Sequence, residues 1–518
     1  WQAAYLHGYA DGSARLFFAF HHLIIDAVSW RILAEDVEQL LSGGALGPKT
    51  SSYRQWVQAV QNYAEGHQGD VGYWQGVTSG QQSLFEQLGD DLADSPHTCE
   101  VVLSKEATDQ LLHRANEGYN TEINDLLLAA LTQALQASFG RDTFHITLEG
   151  HGREPIDDAI DVSHTVGWFT TAYPVRLQAR ASLEDVIIET KESLRRIPDK
   201  GIGFGALTQA GLLVHSPLSE ISFNYLGQLG DGPNTFDNRE QPMYWHITSD
   251  VTGHSSAVEN VQFALLSVNA MVFDGQLHFG LLSVLPSDRV KAIGKAIESA
   301  LLEVIEQASG VAARGGVKTP SDYSVPALSI DTLKRINQSY DVSNIFSATS
   351  LQQGFVALHL NAPSSDAYRV QLLLDYDAED LDVDLYIAAW RLASLRYPVL
   401  RLAFDWRDDQ VLQVITAKAS ISRQHFTLHD FSQRTREEYE KAIAKLQISD
   451  RAKRFDLSKS GLIRLNLIRA PDNRYTLIKT THHSISDGWS GPILMRTVHQ
   501  YYDALVKGET PEVEEETA

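Results

Sequence analysis

A short motif of paired histidines and an aspartate occurs twice in this chain, at positions separated by 461 residues. The first copy reads HHLIIDAVSW (21–30) and the second reads HHSISDGWS (482–490). Both histidines, one isoleucine, the aspartate and the serine match at this single offset. One such motif carries little information, because paired histidines also occur in ordinary protein cores. Two copies in register predict two domains of one type, each carrying the same functional loop.

Length and composition narrow the class of protein. A chain of 518 residues is too long for one hydrophobic core and predicts two to four domains or lobes. The formal net charge of −23 argues against a nucleic-acid partner, whose phosphates would be repelled. No apolar run reaches the roughly 20 residues needed to span a bilayer, so no membrane association is expected. Cys99 is the only cysteine, which excludes an internal disulfide framework and indicates a reducing, cytoplasmic setting.

The start of the chain is informative as well. Residue 1 is a tryptophan, and residues 1–10 lack the basic start and apolar segment of a signal peptide. We therefore expect the chain to be a segment of a longer protein.

Both motifs are predicted to lie between a strand and a helix. Residues 15–20 (RLFFAF) read as a strand, and residues 29–41 read as a helix with Trp30, Leu33, Val37, Leu40 and Leu41 on one apolar face. The second copy repeats this order, with strands at 462–469 and 475–480 and a helix at 488–505. From the residues alone, His21 is expected to be a buried structural histidine and Asp26 a partner that holds the loop. His22 is the residue expected to carry chemistry.

Other segments give weaker predictions. EGHGREP (149–155) follows a predicted strand at 144–148, and the residues alone favour a solvated Glu149 and an Arg153 paired with Glu154 or Asp157. Thr121 is predicted to cap a core helix that runs to Phe139. A strand is predicted at 221–226, with Asn224 and Tyr225 near its end, and a hairpin is predicted from strands 261–272 and 276–284. Residues 200–207 are predicted to be a glycine-rich loop. This loop lacks the lysine and the serine or threonine of a phosphate-binding loop, so phosphate binding is not expected there.

Taken together, these motifs resemble a nonribosomal peptide synthetase. Residues 1–308 resemble an epimerization domain through HHLIIDAVSW (21–30), NDLLLAAL (124–131), EGHGRE (149–154), TVGWFTTAYPVRL (165–177), KGIGFGAL (200–207) and FNYLGQL (223–229). Residues 328–518 resemble the N-terminal lobe of a condensation domain through SLQQGF (350–355), YPVLRLAF (397–404) and HHSISDGWS (482–490). Residues 309–327, rich in Gly, Ser and Pro, are predicted to be the linker.

The resemblance implies a mixed α/β fold of the chloramphenicol-acetyltransferase type, built from two lobes. The first domain would be truncated at its N-terminus and the second would be present as its N-terminal lobe only. The family's glycine after the motif aspartate is retained as Gly488 in the second copy and replaced by Ala27 in the first.

The resemblance also implies the chemistry. The first domain would invert the α-carbon of an aminoacyl or peptidyl thioester carried on the 4′-phosphopantetheine arm of a carrier domain. His22 and Glu149 would exchange the α-proton, in an order that the sequence leaves open, while Trp168, Asn224 and Tyr225 would line the substrate pocket. The second domain would form a peptide bond, with His483 acting on the attacking amine. Supporting roles would fall to His21, Asp26, Arg153, His482, Asp487 and Gly488.

The implied partners are peptidyl carrier domains and adjacent adenylation and condensation modules of the same synthetase. No directly bound cofactor, no metal and no obligatory oligomer are expected. Two other functions compete: a free-standing acyltransferase of the chloramphenicol or carnitine type, and an inactive module that only docks carriers. The GHGRE and FNYLGQ segments and the second motif argue against the first, and the intact His22, Glu149 and His483 argue against the second.

Overall fold

The computed structural model describes residues 1–89, 91–214, 218–229, 250, 252–253, 257, 264–362, 365–377, 380–472 and 474–516. The chain divides into two compact units, Trp1–Lys318 and Thr319–Ala518. In the ranges just given, every helix is too short or too polar to cross a membrane.

The first unit is built on a mixed sheet in the order β3-β8-β7-β6-β4-β5, with a separate hairpin of β1 and β2. The strands are β1 (Gln2–His7), β2 (Ala14–Ala19), β3 (His97–Val102), β4 (Thr143–Gly150), β5 (Thr171–Gln178), β6 (Ile221–Leu229), β7 (Leu266–Phe273) and β8 (Gln276–Ser283). The central strand β6 runs parallel to both β4 and β7, and the other pairs are antiparallel. Within the predicted strand 261–272, residues 261–263 lie outside the described part of the chain.

The first unit also contains ten α-helices among its described residues. They are α1 (Ala27–Leu41), α2 (Tyr53–Gly66), α3 (Val71–Thr78), α4 (Leu84–Leu88), α5 (Lys105–Gln110), α6 (Asn116–Tyr119), α7 (Ile123–Phe139), α8 (Leu183–Arg195), α9 (Ile202–Gln209) and α10 (Ser287–Ala312). The longest, α10, packs against α7 and β3. It buries an apolar stripe spaced three or four residues apart, Val290, Ile293, Ile297, Leu301 and Val304. Burial of each such side chain stabilises the unit by about 1.5–3 kcal/mol.

Two local predictions in this unit are wrong. Thr121 does not cap α7: the N-cap is Glu122, whose backbone N–H donates to Asp125 at 2.7 Å. The glycine-rich segment 200–207 forms most of α9 instead of a loop. Glycine disfavours helix, but Phe204 and Leu207 are buried, and Gly203 lets the helix approach the Tyr63 ring closely. Packing therefore overrides the local propensity.

The second unit contains a four-stranded sheet in the order β10-β15-β14-β13 and a three-stranded sheet in the order β11-β12-β9. Its strands are β9 (Val342–Ser347), β10 (Arg369–Tyr376), β11 (Leu402–Asp405), β12 (Leu412–Thr416), β13 (Phe426–Asp430), β14 (Ile463–Arg469) and β15 (Tyr475–His482). Its helices are α11 (Ile330–Ser339), α12 (Ser350–Asn361), α13 (Val383–Arg396), α14 (Arg436–Ala452) and α15 (Ser490–Val506).

The predicted linker 309–327 is mostly ordered structure. Its first four residues complete α10, because Ala308 and Val311 continue the buried stripe of that helix. Val317 then donates a backbone hydrogen bond to Gly118, inside the first unit. On the other side of the division, Tyr323 and Val325 are buried in a core of the second unit. Residues rich in Gly, Ser and Pro therefore include, here, the end of a helix and side chains that are packed within each unit.

The two motif copies have the same local fold. In each copy, a hairpin leads into a 3₁₀ turn that starts at the second histidine, and a helix follows. In the first copy these elements are β1, β2, the turn His22–Ile24 and α1. In the second copy they are β14, β15, the turn His483–Ile485 and α15. This repeat of strand, motif and helix is the order that the sequence predicts.

Burial differs sharply between the copies. Leu16, Ile24 and Leu40 are 43%, 45% and 53% exposed. Their counterparts Leu477, Ile485 and Tyr501 are 0%, 2% and 8% exposed. In the second unit, β10 and β13 flank the hairpin and α13 packs on α15, whereas the sheet of β1 and β2 has only two strands among the described residues.

Two expectations fail for this reason. His21 is exposed and not buried, although its counterpart His482 is buried. The predicted apolar face of α1 ends in Leu40 and Leu41, which are 53% and 65% exposed.

These counterparts allow a matched test of packing. We expect Leu477→Ala to lower the free energy of unfolding of the second unit by about 2–5 kcal/mol, because it leaves a cavity in a filled core. Leu16→Ala removes a half-exposed side chain and is expected to cost less than about 1 kcal/mol. Urea unfolding, read by hydrogen exchange in β2 and β15, measures both. Equal losses for the two variants would contradict this account of the two environments.

Candidate functional site

The first motif loop is built by two side-chain caps. His21 Nδ1 accepts a hydrogen bond from the backbone N–H of Leu23 at 3.2 Å, which starts the 3₁₀ turn. Asp26 has extended backbone angles and accepts from the N–H of Ser29 at 2.7 Å, which makes it the N-cap of α1. His22 lies between the two caps, which hold the backbone on both sides of it.

A buried ion pair anchors this loop to the rest of the unit. Arg153 Nη2 lies 3.2 Å from Asp26 Oδ1, and their side chains are only 8% and 3% exposed. Arg153 also donates to the carbonyls of Val162 and Thr165 at 2.8 Å. The other Asp26 oxygen accepts from the N–H of Phe169 at 3.1 Å. The pair therefore joins three separate segments of sequence.

Arg153 does not pair with Glu154 or Asp157, as the sequence alone had indicated. Spacing favours neighbours along the chain, but the fold offers a buried carboxylate 127 residues away. Burial lowers the pKa of Arg153, and the charge of Asp26 opposes that change. Gly152 permits the turn that aims Arg153 inward: its φ is +68°, and a Cβ there would lie 1.7 Å from the carbonyl oxygen of Phe169.

Glu149 lies on β4 beside β6, with its carboxylate fixed by a neighbouring strand. The parallel register pairs Leu148 with Phe223, so the next residues, Glu149 and Asn224, are adjacent. Asn224 Nδ2 donates to Glu149 Oε2 at 2.9 Å. Burial raises the pKa of Glu149, and a nearby positive charge on His22 would lower it. Glu149 is thus a partly buried strand residue and not a solvated loop carboxylate.

Two other predicted site residues of this copy are Trp168, which contacts His22, and Tyr225, which is the neighbour of Asn224 in the chain. The ring of His22 meets the Trp168 indole edge-on, with centroids 5.8 Å apart. Tyr225 follows Asn224 on β6, and burial raises the pKa of its phenol to about 12 while the charge of Arg31 lowers it. The described contacts thus place a histidine against Trp168 and, on β4, a carboxyl group bonded to Asn224 whose pKa is raised by burial. Such a set can remove a proton from one position and return one from another.

Sequence reasoning missed Arg31. Its Nη2 donates to the carbonyl oxygen of Leu226 at 3.0 Å, which links α1 to β6 beside Tyr225. Alignment of the two motif copies could have drawn attention to Arg31. At the offset of 461 residues its counterpart is Pro492, so the arginine occurs only in the first copy.

In the second motif copy, the first histidine is structural. His482 is 7% exposed, and its Nδ1 accepts from the backbone N–H of Ser484 at 3.2 Å. Burial lowers the pKa of His482 to about 4, and positive charge on the neighbouring His359, Arg369 or His483 acts in the same direction. His482 is therefore neutral at pH 7.

The second histidine of this copy is available for chemistry. His483 is exposed, and its Nδ1–H donates to the carbonyl of Ser486 at 2.7 Å. That bond leaves Nε2 as the lone-pair nitrogen, facing away from the backbone contact. The Phe355 ring stacks on the imidazole at a centroid distance of 6.2 Å and an angle of 17°. The arrangement suits a general base with a fixed tautomer.

Asp487 shapes this second loop in a different environment from Asp26. It accepts from the N–H groups of Trp489 and Ser490 at 3.0 and 2.8 Å, but it is exposed. A Cβ at Gly488 would meet nothing within 4 Å, so the alanine at the matching position 27 is sterically acceptable.

Over the described residues of both units, no cluster of three or more metal-ligating side chains occurs.

Comparison with protein families identifies the fold. The family model described as "Condensation domain" matches residues 2–282 and 342–518. Bacitracin synthase 3 of Bacillus licheniformis is 30% identical over 98% of this chain and 8% of its own length. N-(5-amino-5-carboxypentanoyl)-L-cysteinyl-D-valine synthase of Amycolatopsis lactamdurans is 45% identical over 44% of this chain and 6% of its own length. The chain thus spans less than a tenth of the length of these two relatives.

A solved structure also resembles this chain. The epimerization domain from the third module of tyrocidine synthetase B has 32% sequence identity and a TM-score of 0.51. The match covers 58% of this chain and 71% of that domain.

The buried pair gives a prediction with an internal control. We expect Arg153→Met to destabilise the first motif loop by about 3–5 kcal/mol, because it leaves the Asp26 carboxylate buried without its partner. Hydrogen exchange of residues 165–170, which include the Phe169 amide, measures the loss. Asp487→Asn alters the exposed counterpart and is expected to have a small effect on its own loop. Unchanged protection of 165–170 in Arg153→Met would contradict the proposed anchoring.

His482 predicts a pH dependence for the second unit. The neutral ring is favoured in the fold, so unfolding takes up a proton below the ordinary pKa of 6.5. The stability contributed by this group is complete above pH 6.5 and is lost as the pH falls towards 4, by about 3 kcal/mol at most. Hydrogen exchange in β15 should show this loss in the natural protein and less of it in His482→Asn. His21→Asn, at the exposed counterpart, is the control, and an unaltered profile in His482→Asn would assign the effect to other groups.

Proposed function

Since this chain belongs to the Condensation domain family, we propose that residues 1–308 act as an epimerization domain and residues 328–518 as the N-terminal lobe of a condensation domain. The predicted relationship to nonribosomal peptide synthetases and the mixed α/β condensation-type fold are confirmed. The finer assignment rests on the site of the first unit and on its similarity to the epimerization domain of tyrocidine synthetase B.

One observation carries the proposal: Asn224 on β6 donates to the half-buried carboxylate of Glu149 on β4 at 2.9 Å, and a positive charge on His22 would lower the pKa of that carboxyl group. The substrate would be an aminoacyl or peptidyl thioester on the 4′-phosphopantetheine of a carrier domain. A thioester carbonyl acidifies the α-carbon, but inversion still needs a base on one face and a proton donor on the other. The imidazole of His22 and the carboxyl of Glu149 fill these two roles.

The proton balance is simple. One group takes the α-proton, and the electron pair of the broken C–H bond moves onto the thioester oxygen as an enolate. The second group then gives a proton to the opposite face of the α-carbon, and the enolate collapses back to the thioester. Asn224 and Tyr225 would donate hydrogen bonds to the enolate oxygen. Burial raises the pKa of Glu149, and a raised pKa brings a carboxyl group nearer to the range in which it can both take up and release a proton.

The second unit would act on a different bond. With Nδ1–H committed to Ser486, His483 Nε2 can accept a proton from the amine that attacks the donor thioester. The neutral His482 and the cap formed by Asp487 would hold this loop in place. The carrier and the neighbouring modules that supply both substrates would belong to the same synthetase.

We also propose that a further lobe covers the first motif copy. The exposed residues Leu16, Ile24 and Leu40 have buried counterparts in the second unit, where strands and a helix of that unit cover them. A lobe of the type formed by residues 328–518 would cover the same face of the first unit and enclose His22.

The test follows α-proton exchange. An L-aminoacyl carrier protein is offered in deuterated water to residues 1–518 and to the longer synthetase chain, and α-deuterium uptake and product chirality are measured. We expect uptake with D-product, and a loss on the order of a hundredfold or more in His22→Ala and in Glu149→Gln, because each removes one proton carrier. His113→Ala and Glu106→Gln, at exposed positions, serve as controls.

The outcomes separate the competing functions. Carrier binding without α-deuterium uptake by either chain would overturn the epimerase proposal and favour a docking function. Acyl transfer to a free acceptor without uptake would favour the acyltransferase. Uptake only by the longer chain would support both the epimerase and the covering lobe.

A further inference from the structure

Strand β6 contains an irregularity beside the site. Tyr225 pairs with Ala270 on β7, but Gln228 pairs with Val272, so β6 has one more residue than its partner over this interval. Leu226 and Gly227 form this β-bulge, and Gly227 has a φ of +81°. Bulges next to functional sites redirect side chains relative to a regular strand. Here the redirected side chains are those that flank Leu226 and Gly227.

The bulge is held by Arg31. Its Nη2 donates to the carbonyl oxygen of Leu226 at 3.0 Å, and the contact spans 195 residues of sequence. The positive φ of Gly227 favours glycine, and a Cβ there would make a tight contact of 3.1 Å with the same nitrogen. The guanidinium of Arg31 and the bulge at Leu226–Gly227 are therefore in direct contact.

Arg31 connects the two halves of the proposed site. It lies on α1, five residues after the N-cap Asp26, and the preceding loop carries His22. The bulge that it binds directly follows Tyr225 and begins two residues after Asn224, whose amide binds the Glu149 carboxylate. A shift of Arg31 would therefore alter the spacing between the histidine side and the carboxylate side.

The charge of Arg31 also acts on Tyr225. Burial raises the pKa of this phenol to about 12, and the nearby guanidinium opposes the rise. A phenol whose anion is stabilised donates a stronger hydrogen bond to an oxygen that gains negative charge. The counterpart of Arg31 in the second motif copy is Pro492, which has no charge. The feature thus distinguishes the first copy from the second.

We propose that Arg31 is a positioning residue for proton exchange in the first unit: it clamps the Leu226–Gly227 bulge and thereby fixes Tyr225 and Asn224 on β6 relative to helix α1, which follows the loop of His22. This inference rests on the proposed epimerase function for its catalytic consequence, but its structural part does not. The guanidinium acts through Tyr225 and the bulge and does not contact the substrate.

The test combines kinetics with a direct readout of Tyr225. Arg31→Met, Arg31→Lys and the surface control Arg54→Met are compared in the chain that shows exchange activity. We expect Arg31→Met to lower kcat for α-deuterium uptake on the order of a hundredfold with little change in KM, because the reacting groups are misplaced while carrier binding is intact. Arg31→Lys keeps the charge but loses the fixed geometry of the guanidinium and should lie between the two.

The Tyr225 pKa is read on residues 1–518 by ultraviolet titration, as the difference between each protein and its Tyr225→Phe derivative. We expect a higher Tyr225 pKa in Arg31→Met than in the natural protein or in Arg54→Met. A merely structural role would lower the melting temperature without moving this pKa.

Each remaining result counts against the proposal. An unchanged kcat in Arg31→Met overturns the positioning role, and an unchanged Tyr225 pKa overturns the contact on which it depends. If the natural protein shows no exchange at all, the epimerase proposal fails, and the titration still decides whether Arg31 acts on Tyr225.

Discussion

The buried contact between Asp26 and Arg153 is the interaction on which the first unit's site depends. Removal of two charges from water is costly, and this pair offsets the cost only because each partner makes further hydrogen bonds. Asp26 caps α1 and binds the amide of Phe169, while Arg153 binds two carbonyls of the segment before Trp168. The loop of His22, the turn after Glu149 and the segment of Trp168 therefore share one anchor. Without this ion pair, these three segments, which are far apart in sequence, would lose the contact that holds them together.

The same motif serves two different environments. In the second unit, strands on both sides of the hairpin exclude water from His482, and the histidine becomes a neutral structural residue. In the first unit the equivalent His21 makes the same cap to the backbone but stays exposed. The local backbone is thus specified by the motif itself, whereas burial is specified by chain segments that lie far from the motif. A short sequence pattern can encode the first property but not the second.

This difference explains how far the sequence could be interpreted. The repeat of strand, motif and helix was predictable, because caps and alternation are local signals. The family was predictable because its motifs occur in order. The pairing of Arg153 with Asp26 was not, since many carboxylates lie closer in sequence and only the fold selects among them. The helix over 202–209 was also missed, because its glycines argue against helix and its support comes from packing on Tyr63. Arg31 was overlooked because an arginine on an amphipathic helix usually faces solvent.

The end of α10 has a consequence for the recombination of such modules. Protein engineers exchange domains by cutting where glycine, serine and proline suggest a dispensable tether. Here a cut at 309–312 would sever the last turn of a helix whose Val311 is buried, and a cut at 323–325 would remove residues from the neighbouring core. The division between the two compact units falls at Lys318 and Thr319. A crossover at that point would leave Val311 in its helix and would leave Tyr323 and Val325 with the core that buries them.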